Sequence, residues 1–272
     1  MEIPQKFKEL LSYIRQYPSV AVAYSGGVDS TFLLAASKEA IGSDNVTAIT
    51  IDAPSLPRYE LEEARNIAHN LGVKHIILVN NEIEDNVRFN PVDRCYHCKK
   101  VEFGAILEEA RKLGIPVVFD GSNADDKNDY RPGQKAIQEL KVVSPLLMLN
   151  LSKAEIREYS KLLNLPTWDK PAYACLYSRF PYNTEIKRED LIKVEKAEKF
   201  FIEKGFRTIR VRCHNDLARI EIEPSQIHKI VSSPLAEEIH HAEQEGVVFK
   251  FLTAPLALEG ADKGRVCRMK CQ

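Results

Sequence analysis

A short apolar run, Ser19 to Tyr24, leads directly into Ser25-Gly26-Gly27-Val28-Asp29-Ser30, and a helix-forming stretch from about Asp29 to Ala40 follows. A strand that turns through two glycines into a helix gathers backbone N–H groups at the positive end of that helix. Tetrahedral oxyanions, phosphate or pyrophosphate, fit such a nest, and Ser25 and Ser30 add hydroxyls to it. A Gly-Gly turn alone occurs in any α/β protein. The whole hexapeptide at a strand-to-helix junction points to a nucleotide. The loop lacks the pattern G-x-x-x-x-G-K-[ST], which argues against γ-phosphoryl transfer.

The alternation of strand and helix continues. Val46 to Ile51 and Val73 to Val79 read as strands, as does Ile115 to Phe119. Apolar residues recur at helical spacing from Tyr59 to Leu71 and from Lys99 to Leu113. This predicts an α/β fold, doubly wound, with a parallel sheet whose ligands sit outside the carboxyl ends of its strands. A helix from Ser152 to Leu163 carries capping-box residues Ser152 and Glu155. Leu165-Pro166 and Lys170-Pro171 then break the chain, and a boundary is expected near residue 170. The region 171–272 reads as a smaller α+β domain. It has a helix from Glu189 to Lys204 and strands at Thr208 to Arg212 and Leu217 to Glu223. A helix from Ser225 into the 240s and a strand at Val247 to Leu252 complete it. The last dozen residues are polar and basic and read as a tail without structure.

Composition excludes several function classes. Lys plus Arg number 38 against 39 Asp plus Glu, a net charge of −1. That speaks against a generic polyanion binder, so no nucleic acid is expected as partner. With 44% hydrophobic and 28% charged residues the chain can bury a sizeable core. No apolar run reaches the ~18 residues of a membrane span, and the N-terminus has no signal-peptide pattern. The expectation is a cytoplasmic enzyme. Six cysteines are too few for a disulfide scaffold and read as chemical or metal-binding.

The hexapeptide resembles the SGGxDS signature of the PP-loop ATP pyrophosphatases. These enzymes cleave ATP between the α- and β-phosphates, adenylate an oxygen, and let a nucleophile displace AMP. The resemblance makes residues 1–170 the PP-loop domain. It implies ATP contacts at Ser25, Gly26, Gly27, Val28, Asp29 and Ser30, with Asp29 also catalytic. Asp52 ends the second strand, where the family approaches adenosine. Gly121-Ser122-Asn123-Ala124-Asp125-Asp126 follows the fourth strand. Gly121 and Asn123 are candidate ATP contacts there, and Asp125 a candidate Mg²⁺ ligand.

Further motifs narrow the family: Asp93-Arg94-Cys95-Tyr96-His97-Cys98-Lys99-Lys100, Asp129-Tyr130-Arg131-Pro132-Gly133, and Lys170-Pro171 through Cys175-Leu176-Tyr177-Ser178-Arg179 to Tyr182. Together with Arg210-Val211-Arg212 and Asp216 to Glu221, they resemble the LarE group over residues 5 to 225. These are ATP-dependent sulfur-insertion enzymes that make the nickel-pincer nucleotide cofactor of lactate racemase. The resemblance implies adenylation of pyridinium-3,5-biscarboxylic acid mononucleotide, a small-molecule nucleotide. Cys175 then forms a thioester, and in single-cysteine members its Cβ–S bond breaks, leaving dehydroalanine. Cys175 lies between Lys170 and Arg179, cations that lower a thiol's pKa. Some members use a [4Fe–4S] cluster on three cysteines. Here those would be Cys95, Cys98 and Cys175, and sequence spacing does not decide between the routes. A zinc site adding Cys213 is a third option. Cys213 stands where the family pattern has histidine, and Cys267 and Cys271 read as incidental.

The substrate's phosphate and carboxylates call for fixed cations. Arg210 and Arg212 alternate on one strand face and can grip the 5′-phosphate. Ser178, Arg179, Arg94 and Lys99 are further candidates. The resemblance associates Glu198 and Glu221 with metal or substrate handling, although an exposed helix face explains Glu198 equally well. It also implies a homo-oligomer, a hexamer. A PP-loop tRNA thiolase is the alternative function, but it needs an RNA-tracking basic surface that is not visible. A nucleotide-sensing module without turnover is another.

Overall fold

The computed structural model describes residues 4–128, 132–172, 174–214, 217–231, 250–251 and 267–270. The chain divides into two compact units. Met1–Val87 with Val92–Tyr173 form the first, and Arg88–Pro91 with Ala174–Gln272 form the second.

The first unit begins with α1 (Gln5–Ile14), β1 (Val20–Ala23), α2 (Val28–Ile41), β2 (Val46–Asp52), α3 (Arg58–Asn70) and β3 (Lys74–Val79). A short α4 (Asp85–Arg88), the long α5 (Arg94–Lys112) and β4 (Val118–Phe119) follow. Then come α6 (Pro132–Glu139), α7 (Pro145–Met148) and α8 (Lys153–Leu162). The four strands form one parallel sheet in the order β3-β2-β1-β4. β1 is buried on both faces, as a parallel strand under two helix layers must be. Val20 and Val22 join a core with Phe7, Leu10, Phe32, Leu33, Ala64 and Ile156. Ala21 faces the other core, with Ile49, Phe103, Ile106, Val118 and Ile137. The sheet is thus doubly wound, as the alternation predicts.

Strand order places the ligand crevice. The chain runs outward through β2 and β3, then returns to the other side of β1 for β4. The order reverses between β1 and β4, where open α/β sheets bind ligands at their carboxyl ends. The fourth strand is shorter than its apolar run. Pro116 has no N–H to give a ladder, and pairing begins only at Val118 with Ala21. The capping box is formed: the Ser152 hydroxyl accepts from the Glu155 N–H, and the Glu155 side chain accepts from the Ser152 N–H.

The second unit contains α9 (Arg188–Glu203), β5 (Ile209–His214), β6 (Leu217–Ile222), α10 (Ile227–Val231), β7 (Lys250–Phe251) and β8 (Cys267–Lys270). The strands form an antiparallel sheet in the order β5-β6-β8-β7. Ile209, Val211, Ala218 and Ile220 pack against Ala197 and Phe201 of α9, with Phe206 and Ile230. Residues 88–91 belong here because the buried Asn90 side chain donates to Phe180 O (2.9 Å) and Pro181 O (2.8 Å). The tail is not structureless: residues 267–270 form β8, paired with β6. Its polarity hides an alternation of Cys267 and Met269 with Arg268 and Lys270, the period of a strand. Most of the helix expected into the 240s and of the strand near 250 lies outside the described residues. So do Asp129, Tyr130, Arg131, Tyr173 and Cys271. Among the described residues no helix is long and apolar enough to cross a membrane.

Candidate active site

Ser25 to Ser30 lies at the carboxyl end of β1. Gly26 has φ +70°, and a Cβ there would stand 2.8 Å from the Ala64 Cβ, so only glycine lets the loop pack on α3. Gly27 is the N-cap of α2. The Ser25 and Ser30 hydroxyls hydrogen-bond at 3.1 Å, and the Gly27 N–H reaches Ser25 Oγ only at 3.4 Å. The loop is also held from outside. Thr50 Oγ1 donates to Tyr24 O (2.6 Å), and Lys170 Nζ donates to Gly26 O (3.1 Å).

Across the crevice, Gly121 follows β4. A Cβ on Gly121 would lie 3.1 Å from the Ser30 nitrogen and 3.2 Å from the Asp29 Cβ, so the two loops meet backbone to backbone. Buried Asp120 anchors this second loop by accepting from Ser122 Oγ (2.5 Å) and from the Ser144 hydroxyl. Asn123 N donates to Asp126 Oδ2 (2.9 Å), and Asp125 N donates to Asn123 Oδ1 (3.0 Å).

Asp29 stands at the centre. Lys153 Nζ lies 2.6 Å from its Oδ2, while its Oδ1 is buried without a hydrogen-bond partner. Burial raises the Asp29 carboxyl above the usual range, and the negative charge of Asp126 adds to this; Lys153 and Asn123 pull it down. A largely buried carboxylate, in the field of a second carboxylate, fits a divalent cation. Mg²⁺ needs only one or two protein carboxylates beside phosphate oxygens. The second carboxylate whose charge acts on Asp29 is Asp126. Asp125, expected in that role, is exposed and accepts the N–H of Lys153 (3.1 Å) at the start of α8. Asp52 is engaged by the Arg58 guanidinium.

Cys95 and Cys98 occupy the first two turns of α5 and share a face at i, i+3. Cys95 is exposed and Cys98 half-buried. Between them His97 pairs with Asp93 (3.3 Å). Arg94 is buried, and Lys99 lays its ammonium over the Phe103 ring at 4.8 Å. Among the described residues no group of three or more His, Cys, Asp or Glu side chains stands together in a metal-holding arrangement.

In the second unit, Cys175 is exposed and precedes the short 3-10 turn Leu176–Arg179. Ser178 ties that turn back, its N–H (3.0 Å) and hydroxyl (2.8 Å) both donating to Cys175 O. Arg179 lies beneath it, donating to Ala174 O (3.0 Å) and Ser178 Oγ (2.9 Å). Its other nitrogens meet Glu198 at 2.7 and 2.9 Å, and Glu198 also accepts the Val211 N–H. Arg179 and Glu198 were expected as substrate and metal groups, with an exposed helix face as the bland account of Glu198. The pair is fully buried and its atoms serve each other and the backbone. Nor do Lys170 and Arg179 supply unbalanced positive charge for the thiol. Lys170 faces Glu60 (2.9 Å) and Glu63 (2.8 Å), and Arg179 faces Glu198.

Arg210 and Arg212 share the face of β5 expected from their alternation, opposite Glu221 and Arg219 on β6. Arg212 donates to Ser178 O (2.8 Å) and to Glu221 (2.8 Å). Burial would raise the Glu221 carboxyl, but the hydrogen bond and charge of Arg212 and the charge of Arg219 hold it below its ordinary range. The Arg210 side chain makes no hydrogen bond or ion pair with the described residues. Burial, then the charges of Arg179 and Arg212, lower its pKa. It is a half-buried cation pressed by other cations, a setting that an anion relieves.

Relatives fit this geometry. The NAD synthase family matches residues 3–97, the span that contains the nucleotide loop. An uncharacterized protein of Synechocystis sp. is 40% identical over 268 residues, 98% of both chains. The pyridinium-3,5-bisthiocarboxylic acid mononucleotide synthase of Lactiplantibacillus plantarum is 35% identical over 219 residues, 80% of this chain and 79% of that one. The chain belongs to this synthase family, the LarE family of ATP-dependent sulfur transferases. A protein of Methanocaldococcus jannaschii is 34% identical over 248 residues, 90% of both chains.

For a LarE-family enzyme, two features of this site escape sequence reasoning. Lys153, paired with Asp29, lies 124 residues from it. Its one signal was its place beside the Ser152 cap, at the start of a helix. Asp126 differs from Asp125 only in which way the turn sends its side chain.

Proposed function

We propose that this enzyme uses ATP to activate the carboxylates of pyridinium-3,5-biscarboxylic acid mononucleotide and delivers sulfur to them through Cys175, in the making of a nickel-pincer cofactor. The observation that supports it most is Asp29 Oδ1. It is a buried oxygen, in the crevice between one loop packed on α3 through Gly26 and another that meets it at Gly121, where a Cβ would crowd Ser30 and Asp29. That crevice suits a pyrophosphate and its cation.

Adenylation comes first. A substrate carboxylate oxygen attacks the α-phosphorus, and the bond to the β-phosphate breaks, giving acyl-AMP and pyrophosphate. The N–H groups at the start of α2 take up the charge that develops on the leaving pyrophosphate. Asp29 and Asp126 would hold Mg²⁺ there, and its chemistry would be to neutralise part of that charge. Lys153 holds Asp29 in place. Arg210 grips the substrate's phosphate, with Arg212 held beside it by Ser178 O and Glu221, which puts binding energy from a remote group into positioning the carboxylate.

Sulfur transfer follows. The Cys175 thiolate attacks the acyl carbon, and AMP leaves with its electron pair, giving a thioester. Loss of the Cys175 Cα proton then drives cleavage of the Cβ–S bond. The sulfur departs as thiocarboxylate, and dehydroalanine remains at 175. Two enzyme molecules serve one bisthiocarboxylate. A catalytic alternative has one supporting observation, the placement of Cys95 and Cys98 on a single face of α5, which offers two thiolates to an iron–sulfur cluster.

The test is intact mass spectrometry after incubation with ATP, Mg²⁺ and the pyridine acid. The expected result is a protein lighter by about 34 Da, the H₂S lost from one cysteine, with Cys175→Ser releasing pyrophosphate but forming no thiolated product. Unchanged mass with many product molecules per enzyme would exclude the sacrificial route.

A further inference from the structure

Lys170 is buried, with 8% of its surface exposed, in the first unit and far in sequence from everything its ammonium touches. Its three N–H groups find three acceptors: Gly26 O at 3.1 Å, Glu60 Oε2 at 2.9 Å and Glu63 Oε2 at 2.8 Å. An ammonium has three donors in all. Two carboxylates balance its charge, so the group is not a cation waiting for phosphate. What distinguishes it from an ordinary buried ion pair is the third acceptor, a backbone carbonyl inside the nucleotide loop.

That carbonyl matters because a peptide is planar and trans. Its C=O and its N–H point in opposite directions. Holding Gly26 O toward Lys170 therefore turns the N–H of Gly27 the other way. Gly27 is the N-cap of α2, and its N–H finds only a long 3.4 Å contact with Ser25 Oγ. Gly26, at φ +70° and without a side chain, has the freedom to let this peptide flip. A loop built on two glycines needs something outside itself to choose one orientation.

We propose that Lys170 is a positioning residue for ATP: it fixes the Gly26–Gly27 peptide so that the Gly27 N–H is preset for the nucleotide's phosphates. The proposal rests on the reading of this loop as the ATP site. It also gives a reason why Lys170 opens the segment that continues to Cys175. The residue that readies the nucleotide loop lies on the stretch of chain leading to the thiol.

The test measures ATP affinity by calorimetry without the pyridine acid, then the single-turnover rate constant of AMP release with it, as a function of ATP concentration. Lys170→Met is combined with Glu60→Gln, so that no buried carboxylate loses its partner. The expected result is a folded protein, by circular dichroism and thermal melting, whose ATP affinity falls at least tenfold. Its single-turnover rate constant at saturating ATP should stay within a factor of about two. Lys170→Arg keeps a donor for the carbonyl and both carboxylates, and should keep ATP affinity within about threefold. Wild-type ATP affinity in the folded double variant would overturn the proposal. So would equal damage from arginine and methionine. Failure of the double variant to fold would also overturn it, by making Lys170 a determinant of the fold. A wild-type protein that binds no ATP would instead overturn the function proposed above.

Discussion

Arg179 and Glu198 form a two-pronged ion pair with 1% and 0% of their side chains exposed. The pair links the turn that carries Cys175 to α9, and through the Val211 N–H to β5. Removing one partner strands the other charge out of water. Glu198→Ala should cost about 3–5 kcal/mol of stability, and Arg179→Met a similar amount. The combined Arg179→Met, Glu198→Met protein should lose less than either single variant, since no charge is left unpaired. Urea unfolding of the three proteins checks this. Additive losses would show that the two residues do not act as a pair.

Gly26 and Gly27 stand side by side but tolerate change differently. A Cβ at Gly26 meets Ala64 at 2.8 Å in a left-handed conformation, whereas one at Gly27 meets only Ser25 Oγ at 3.3 Å, with φ −78°. Gly26→Ala should therefore lower stability by about 1–3 kcal/mol and raise the KM for ATP tenfold or more. Gly27→Ala should melt close to the wild-type temperature. Thermal melts with and without ATP separate the two effects.

His75 sets a pH limit on the same loop. Thr50 has one hydroxyl proton, and it goes to Tyr24 O, so Thr50 Oγ1 accepts from His75 Nε2 at 2.8 Å. The ring is then neutral with its proton on Nε2, a tautomer that nitrogen NMR can read directly. Burial first, and then the charge of Arg65, push its pKa down from 6.5 to about 4. Between those values the unfolded chain binds a proton that the native ring refuses. The contribution to stability is therefore full above 6.5 and is lost as pH falls toward 4. His75→Gln, which keeps a donor for Thr50, should lose less stability than wild type between about pH 7 and about pH 4.5. Equal losses in urea midpoints would contradict this.

The features legible in the sequence are those that local chemistry fixes. Ser25 to Ser30 announces itself because the glycines, the strand and the helix start are contiguous. Ser152 and Glu155 announce a cap because both partners lie within one turn. Residues paired across the fold were not legible. Lys170 lies 144 residues from Gly26 and 110 from Glu60, and nothing near it marks it as a support of the nucleotide loop. Glu198 looked like a helix-surface acid, because its stripe-mate Arg179 comes from a separate turn. Ile115 to Phe119 looked like a full strand because hydrophobicity does not register the missing N–H of Pro116. The strand at 267–270 looked like a basic tail because composition hides a period of two.

Arg210 and Arg212 share a face but not a task. Arg212 is already committed to Ser178 O and Glu221, so it holds the sheet to the turn that carries Cys175. Arg210 makes no such contacts among the described residues and is pressed by the charges of Arg179 and Arg212. Arg210→Met should leave stability unchanged or slightly improved, because it removes repulsion. It should raise the half-saturating concentration (KM) of the pyridine mononucleotide in single-turnover assays about 10- to 100-fold, the worth of one or two charged hydrogen bonds to phosphate, with little change in the rate constant at saturation. Arg212→Met should damage both stability and KM. Single-turnover kinetics and melting curves, repeated at two salt concentrations, check the division. A wild-type KM in Arg210→Met would remove that guanidinium from the substrate's phosphate and leave it without a role in recognition.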